Sequence, residues 1–254
     1  MRIATWNVNS LRVRQPHVRA WWQAWQPDVL ALQETKLEDA AFAALDTHFA
    51  PYAAHWGQKS YNGVALLAQH PLEDVLPGFN GHDPFGQARV LAATVQGVRV
   101  VSVYATNGES LTSEKFGKKR AFYAHLTHYV QALVASGQPV VVTGDFNIAA
   151  DERDVDDPAK RGADVLFTPE ERGWLQTLLA AGLVDALRVV SDEAGVFSWW
   201  DYRAGAVQRN RGMRIDYALV SHNLVPRIKA VHHDKAERLK EQPSDHIPVV
   251  LDLA

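Results

Sequence analysis

The sequence predicts a mixed α/β fold in which two packed mixed β-sheets are flanked by helices, a four-layer α/β sandwich. Eight short apolar runs, each bounded by turn residues, are spread over the whole length of the 254 residues. Segments with apolar residues at helical spacing lie between several of these runs. A hairpin signal at Gln96-Gly97 joins two runs directly, so the sheets cannot be purely parallel. Two sheets packed face to face, with helices outside, would bury both apolar faces of each sheet.

The predicted strands are rich in valine, isoleucine, leucine and alanine, as expected for strands that are covered on both faces. They span residues 3–8, 29–33, 63–68, 90–95, 98–104, 140–143, 215–220 and 247–253.

Three helices are predicted between the strands. Thr168 and Glu171 form a capping box with Pro169 at the first helical position, and Gly182 closes that helix. Residues 15–25 and 118–135 carry apolar side chains at helical spacing. Helices and strands therefore alternate along the chain.

Composition indicates a globular protein that stays in the cytoplasm. Hydrophobic residues make up 47% and charged residues 22% of the sequence, which suits a packed core. No apolar run reaches the roughly 20 residues that a bilayer crossing needs, and the opening Met1-Arg2-Ile3 lacks the zones of a secretion signal. No serine-, glycine- or proline-rich linker divides the strands, so we expect one domain over residues 1–254, acting as a monomer.

Charge and cysteine content restrict the possible chemistry. The sequence has no cysteine, which excludes disulfides, thiol nucleophiles and sulfur-ligated metals. The formal net charge of −3 argues against a nucleic-acid-binding protein. Basic residues are clustered, however, and the two clusters are Lys115, Lys118, Lys119 and Arg120, and Arg203, Arg209, Arg211 and Arg214.

Polar residues that can bind phosphate or metal stand where the predicted strands end. They are Asn7, Asn9, Glu34, Lys36, Tyr104, Asn107, Asp145, Asn147, Asp216, Asp245 and His246. Taken singly, each has an ordinary explanation, such as a turn-forming asparagine, a surface glutamate or a structural histidine. Together, four carboxylates, several amides, a tyrosine and a histidine at successive strand ends indicate a shared functional site.

Six motifs in order resemble the exodeoxyribonuclease III family of abasic-site endonucleases, within the wider endonuclease, exonuclease and phosphatase group. The motifs are TWNVNSLR, LQETK, YNGVALL, GDFNIA, the stretch from FSWWDYR through NRGMRIDY, and SDHIPV. The resemblance covers the entire chain. Thr106, Met213 and Ile247 depart from the family's pattern, and none of them removes an ionisable residue.

The resemblance implies a Mg²⁺-dependent DNA-repair phosphodiesterase, with Mn²⁺ as a substitute ion. Glu34 would be the main metal ligand, helped by Asn7, Asn9 or Asp245. Asp145 would stand beside the attacking water, as general base or as proton donor to the leaving group. Tyr104 and Asn147 would donate hydrogen bonds to the phosphate. His246 would contact a non-bridging phosphate oxygen, and Asp216 would accept its other N–H.

The implied substrate is double-stranded DNA with abasic sites or blocked 3′ ends, cut 5′ to the lesion and trimmed from 3′ to 5′. Trp199 and Met213 would wall a pocket for a flipped-out sugar that lacks its base, because such a nucleotide loses little stacking when it is extruded. Lys36, Tyr61, Asn107 and Arg209 would contact the DNA backbone or groove.

Three other interpretations are weaker. A serine-protease relay of Ser244, Asp245 and His246 fails because consecutive residues cannot supply its geometry. A catalytically silent DNA-binding module does not need the complete ionisable set. A phosphatase for lipid or inositol phosphates is disfavoured by the aromatic stretch leading to NRGMRID and by the lack of a membrane-anchoring segment.

Overall fold

Two six-stranded sheets organise the chain in this computed structural model, which describes residues 1–162 and 164–254. The strands of the first sheet are β1 (Arg2–Asn7), β2 (Val29–Gln33), β3 (Tyr52–Trp56), β4 (Val64–Ala68), β11 (Ile228–His233) and β12 (Val249–Leu253). Their order is β11-β12-β1-β2-β4-β3. Only β1 and β2 run parallel among these neighbours, and the other pairs are antiparallel.

The second sheet repeats this plan. Its strands are β5 (Glu73–Pro77), β6 (Val90–Val95), β7 (Val98–Tyr104), β8 (Val140–Asp145), β9 (Leu183–Asp185) and β10 (Asp216–Ser221), in the order β5-β6-β7-β8-β10-β9. The parallel pair is β7 and β8, again at the centre. Gln96 and Gly97 form the β6–β7 turn with positive φ angles of 49° and 77°, as the hairpin signal predicts.

Six α-helices connect and cover the sheets within the described residues. They are α1 (Leu11–Trp25), α2 (Asp39–Ala43), α3 (Glu114–Ala135), α4 (Pro158–Arg161), α5 (Pro169–Ala180) and α6 (Ala186–Val190). Thr168 and Glu171 form the predicted capping box of α5. Helices α1 and α3 each begin four residues before the predicted start, since Pro16 and Gly117 obscure their first turns in the sequence.

Three layers of packing produce the predicted four-layer sandwich. Helix α1 covers the outer face of the first sheet with Val18, Trp21 and Trp22. Helices α3 and α5 cover the outer face of the second sheet. A central core, in which Val29 and Val141 are buried, fills the space between the sheets. The fold-class prediction is therefore confirmed, while the single-domain prediction stays a prediction.

Strand alternation determines which side chains reach the end of this central core. Successive side chains of a strand point to opposite faces, so Ile3, Thr5 and Asn7 all face the second sheet. Thr5 donates to Gln33 Oε1 (3.1 Å), and Gln33 Nε2 donates to Ser102 Oγ (3.1 Å). These bonds link the two sheets just below the open end of the intersheet space, which we call the mouth. The mouth of the intersheet space is therefore lined with polar side chains.

No helix in the described ranges is both long enough and apolar enough to cross a bilayer.

Candidate active site

The last inward-facing residues of several strands meet at one end of the sandwich. Asp145 ends β8, where its register partners are Tyr104 on the parallel strand β7 and Asp216 on the antiparallel strand β10. Asn7 ends β1 in the opposite sheet, and its Nδ2 donates to Asp145 Oδ2 at 2.9 Å. Residues far apart in the sequence thus converge because both sheets end at the same mouth.

Asp145 is held by three hydrogen bonds. Besides the bond from Asn7, its Oδ1 accepts from the backbone N–H of Asn147 (2.9 Å) and its Oδ2 accepts from Asn147 Nδ2 (3.2 Å). The second hydrogen of Asn147 Nδ2 goes to the carbonyl of Ala105 at 2.9 Å. Asn147 therefore orients the Asp145 carboxyl in this structure, and it would have to exchange one partner to donate to a phosphate.

His246 and Asp216 form the predicted pair. His246 Nδ1 donates to Asp216 Oδ2 at 2.8 Å, and both side chains are buried. The same oxygen accepts from Ser198 Oγ (2.7 Å), which itself accepts from the backbone N–H groups of Ile215 and Asp216. This network fixes the ring, so that His246 Nε2 lies 3.8 Å from Asp145 Oδ2.

The pKa values of Asp145 and His246 are both raised, for different reasons. Burial raises the pKa of Asp145 to about 7, against the attraction of His246, and the negative charge of Asp216 adds to the rise. Burial also opposes the charged form of His246, but the carboxylates of Asp216 and Asp145 outweigh it and raise its pKa to about 10. His246 is therefore a buried cation at neutral pH beside a carboxyl that can exchange a proton.

Glu34, Asn7 and Lys36 form the other half of the mouth. Glu34 Oε2 accepts from Asn7 Nδ2 at 3.1 Å, so one amide bridges Glu34 and Asp145. The Lys36 ammonium lies 2.9 Å from Glu34 Oε1 and 2.7 Å from Asn9 Oδ1. The positively charged ammonium group thus lies between two oxygens, one from Glu34 and one from Asn9.

This oxygen set fits a divalent metal. Mg²⁺ favours one or two carboxylates together with water and substrate oxygens, and a lysine ammonium is a monovalent stand-in between Glu34 and Asn9. Asp145, Asp216 and His246 also lie close enough together to ligate an ion. Their geometry suits a hydrogen-bonded charge network better, since the His246 ring already donates to Asp216 and a protonated ring cannot ligate a metal.

Asp245 lies at the edge of the same mouth. Its Oδ1 accepts from Asn9 Nδ2 (3.1 Å) and its Oδ2 accepts from Trp199 Nε1 (3.0 Å). Burial opposes its ionisation, but the charge of His246 and the Trp199 N–H lower the pKa of the Asp245 carboxyl below its ordinary value. Asp245 is therefore ionised and connects the metal-compatible side of the mouth to Trp199.

Tyr104 closes the mouth on the side of the second sheet. Burial raises the pKa of its hydroxyl well above 10, and the negative charges of Glu34 and Asp145 act in the same direction, while the Arg89 guanidinium opposes them. The Arg89 guanidinium lies over the Tyr104 ring, 4.7 Å from its centroid. Tyr104 is thus a neutral hydrogen-bond donor at the site.

The loops around the mouth contain non-glycine residues with left-handed backbone. Asn9, Glu34, Lys36, Asn62 and Asn147 have φ angles between 43° and 56°. Asparagine tolerates this region, whereas glutamate and lysine rarely adopt it. Such conformations are maintained where the surrounding structure holds a functional side chain in place.

A cleft of about 670 Å³ extends from the mouth between the two sheets' loops. Three of the predicted DNA-contact residues, Lys36, Tyr61 and Asn107, line it together with Glu34 and Tyr104. The Tyr61 side chain is 70% exposed. The structure therefore brings these residues to the same surface as the ionisable cluster.

The other predicted contacts are placed differently. Trp199 is half-buried beside Asp245, and Met213 is 1% exposed and packs in a small core with Phe167 and Ile215. Arg209 is exposed in a separate cleft with Lys160 and Arg161. Their predicted roles toward DNA stay predictions.

Sequence reasoning missed three residues that act on this site. Ser198 orients Asp216, and Arg89 stacks on Tyr104. Lys119 is fully buried, and its ammonium donates to the carbonyls of Asn107 (3.0 Å) and Asn147 (2.6 Å) while pairing with Glu171 (2.5 Å). Ser198 lies within the FSWW motif, which could have marked it, whereas Arg89 stands in no motif. Lys119 belongs to the basic cluster that begins at Lys115, but it is buried against Glu171 and does not face solvent.

Fold and site together define a phosphoesterase of the four-layer α/β type, and comparison with known proteins identifies its family. The sequence profile of the Endonuclease/Exonuclease/phosphatase family matches residues 4–246. The chain is 36% identical to exodeoxyribonuclease III of Haemophilus influenzae, over 98% of each chain.

Solved structures agree with this result. A 3′ phosphatase from Neisseria, NExo, bound to a product DNA hairpin, is 40% identical with a TM-score of 0.95, covering 100% of this chain and 99% of the other. An AP endonuclease from Archaeoglobus fulgidus is 33% identical with a TM-score of 0.94, with the same coverage.

The chain belongs to the Endonuclease/Exonuclease/phosphatase family, and the predicted resemblance to exodeoxyribonuclease III is confirmed. The predicted kind of enzyme, a DNA-repair nuclease that hydrolyses phosphodiester bonds, is also confirmed by these likenesses. The family is divalent-metal-dependent, and the oxygens around Glu34 suit such an ion.

Proposed function

We propose that this protein cuts duplex DNA 5′ to abasic sites and processes 3′ ends, using Mg²⁺ or, as a substitute, Mn²⁺. One observation carries the proposal: a buried cation, His246, and a carboxyl with a pKa of about 7, Asp145, face each other beside the Asn7–Glu34 pair. A phosphodiester has charged oxygens that need a cation and a leaving oxygen or water that needs a proton partner. The mouth offers both within a few ångströms.

His246 would bind a non-bridging phosphate oxygen through Nε2, because Nδ1 is committed to Asp216. Tyr104 would donate its hydroxyl hydrogen to another phosphate oxygen, since its raised pKa keeps it protonated. Asn147 would contribute a further hydrogen bond once substrate replaces one of its present acceptors. These donors would hold the phosphorus atom next to Asp145.

Asp145 would act as the general base or general acid of the reaction. A pKa of about 7 lets the carboxyl accept a proton from water or give one to the departing 3′ oxygen near neutral pH. The hydrogen bonds from Asn7 and Asn147 fix the direction in which its oxygens point.

The metal would be held by Glu34, with Asn7 and Asp245 completing its surroundings. When bound, it supplies charge neutralisation on the phosphate oxygens. The position of the Lys36 ammonium between Glu34 and Asn9 supports this placement.

On the DNA side, Lys36, Tyr61, Asn107 and Arg209 would contact the backbone or groove, and Trp199 and Met213 would wall the pocket for an extruded abasic sugar. A monomer in the cytoplasm completes the proposal, and light scattering of the purified protein at several concentrations would test the monomer.

Removal of 3′ phosphates without cutting at abasic sites is the second candidate activity. Trp199 is held by its hydrogen bond to Asp245, and Met213 is covered, so a sugar pocket between them would have to open. Processing a 3′ end needs no extruded sugar, and one of the similar structures is described as a 3′ phosphatase.

A cleavage assay on two duplexes tests the proposal. One duplex contains a single abasic analogue and the other a nick with a 3′ phosphate, each incubated with Mg²⁺, with Mn²⁺ or with EDTA. Metal-dependent nicking 5′ to the analogue supports the leading proposal. Phosphate release without nicking supports the second candidate, and inertness toward both duplexes would contradict both.

A further inference from the structure

Arg89 is a cation in the active-site cleft without a carboxylate partner among the described residues. Of the cleft cations, Lys36 pairs with Glu34 at 2.9 Å and Lys115 pairs with Glu109 at 3.2 Å. Within residues 1–162 and 164–254, no carboxylate oxygen lies within salt-bridge distance of Arg89. Its hydrogen bonds go to neutral oxygens instead.

The Arg89 guanidinium is held in one orientation. Nε donates to Gln87 Oε1 (2.6 Å), Nη1 donates to the carbonyl of Tyr104 (3.1 Å), and the group lies over the Tyr104 ring. The backbone N–H of Tyr104 in turn donates to the Arg89 carbonyl at 2.7 Å. Nη2 makes no hydrogen bond to any described residue, so one edge of the planar group is left for a ligand.

The surrounding loop is also fixed to the strand that carries Arg89. Gln58 Oε1 accepts from Asn62 Nδ2 (3.0 Å) and from the backbone N–H of Ala88 (2.8 Å), and Gly63 donates to the Ala88 carbonyl (2.9 Å). The guanidinium and the exposed Tyr61 therefore line one rigid wall of the cleft.

Partial burial of the Arg89 guanidinium is energetically unfavourable unless an anion binds to it. Burial lowers the pKa of Arg89, while Tyr104, Asp145 and Glu34 act in the opposite direction. A guanidinium withdrawn from water and given only neutral acceptors is stabilised when an anion of matching geometry binds. The planar group suits a phosphate diester, whose two non-bridging oxygens accept from its N–H groups.

We propose that Arg89 binds a DNA backbone phosphate adjacent to the one being hydrolysed, on the Tyr61 side of Tyr104. This inference rests on the proposed function, because it assumes that DNA lies in the cleft. Tyr104 would donate to the phosphate that reacts, and Arg89, across the ring, would hold the neighbouring phosphate and so set the register of the strand.

The test is the salt dependence of DNA binding in EDTA, where no cleavage occurs, followed by steady-state kinetics with Mg²⁺. Each protein–phosphate ion contact adds about 0.9 to the slope of log affinity against log salt. Arg89→Gln should lower that slope by about 0.9 and raise KM about tenfold, with kcat changed less than about threefold. Arg89→Lys keeps the charge and should keep the wild-type slope.

Arg99→Gln is the matched control. Arg99 is buried, donates to the Asp74 carbonyl at 2.7 Å, and lies at the other end of β7, about 17 Å along the strand from Tyr104. The Arg99→Gln substitution removes one buried arginine charge outside the cleft and should leave the salt-dependence slope unchanged. Thermal unfolding of all variants verifies that they are folded.

A wild-type slope for Arg89→Gln, with a lower kcat, would overturn the inference and leave Arg89 as a residue that only positions Tyr104. If Arg89→Lys lowered the salt-dependence slope as much as Arg89→Gln does, the inference would also be overturned, because the positive charge at this position would not account for the slope. If the wild-type protein itself neither binds nor cuts DNA, the proposed function fails rather than this inference alone.

Discussion

Asp145 and His246 show how burial and neighbouring charge give two residues of one cluster different roles. Burial keeps a proton on Asp145 up to about pH 7, whereas Asp216 and Asp145 keep His246 protonated up to about pH 10. The pair is coupled, so a change to either side chain shifts the titration of the other. A proton carrier and a fixed cation thus stand 3.8 Å apart.

Replacing Asp145 by Asn should lower kcat by about 10²-fold to 10⁴-fold, because the amide cannot exchange the proton. DNA affinity measured in EDTA should change little. Asp192→Asn, which alters an exposed carboxyl, serves as the control and should leave both quantities unchanged. Near-normal turnover by the Asp145 variant would remove the assigned role.

The charge on His246 should appear in the pH dependence of stability. The pKa of His246 is raised from 6.5 to about 10 in the folded protein, so its contribution is fully present below about pH 6.5 and is lost as the pH rises through about 10. The stability difference between the wild type and His246→Asn should therefore shrink between these values, by at most about 1.4 kcal/mol per pH unit. Urea unfolding in EDTA measures it, and a difference that stays constant over this range would contradict the charged state.

Trp199→Ala should weaken cutting at abasic sites more than trimming of 3′ ends. The ring is half-buried beside Asp245 and is proposed to contact only an extruded sugar, so end processing does not use it. Comparing kcat/KM on the two duplexes checks this, and equal losses on both would show that the ring is structural.

At the element scale, the ends of β1, β2, β7, β8 and β10 position the site, and helix caps support the loops behind it. The capping box of α5 places Glu171 against Lys119, whose ammonium holds the carbonyls of Asn107 and Asn147. One helix terminus is thereby connected to two loops of the mouth.

Thr168→Ala should reduce the free energy of unfolding by about 1 kcal/mol, the usual contribution of an N-cap hydroxyl. Thr168 Oγ1 accepts from the backbone N–H of Glu171 at 3.2 Å. Thr177→Ala, in the exposed middle of the same helix, is the control and should not destabilise the protein. Denaturant titration of both variants measures the difference, and equal effects would show that the cap contributes nothing.

The sequence predicts the eight inner strands and misses the four outer ones, and burial explains the division. Strands β1, β2, β4, β6, β7, β8, β10 and β12 are covered on both faces, so their sequences are continuous apolar runs. Strands β3, β5, β9 and β11 are the edges of the two sheets. β5 is mostly exposed and β3 is partly polar, so neither has an apolar pattern to detect.

The candidate site divides in a similar way. Asp145, Asp216 and His246 stand in recognisable motifs at strand ends, and the structure places them together as predicted. Arg89 lies at the start of an apolar run and contacts Tyr104 only through tertiary structure. Its partners are distant in sequence or reached through the backbone, so spacing alone contains no signal for it.

At the scale of the whole molecule, two sheets of the same plan pack so that both central parallel pairs end at one mouth. The β1–β2 pair is connected by α1 and the β7–β8 pair by α3, and parallel strands present their carboxyl ends at the same edge. The net charge of −3 does not conflict with a DNA substrate. Lys36 and Lys115 are paired with Glu34 and Glu109 in the cleft, and the charge of Arg89 is in excess there.

Both sheets contribute side chains to one site, with the metal expected beside Glu34 and the charged His246 between Asp145 and Asp216. Anomalous diffraction from crystals soaked in Mn²⁺ would locate the metal. We expect a single strong anomalous peak next to Glu34, with Lys36 displaced from its present contact and the His246–Asp216 hydrogen bond intact. A peak between Asp216 and His246, with that hydrogen bond broken, would contradict the account.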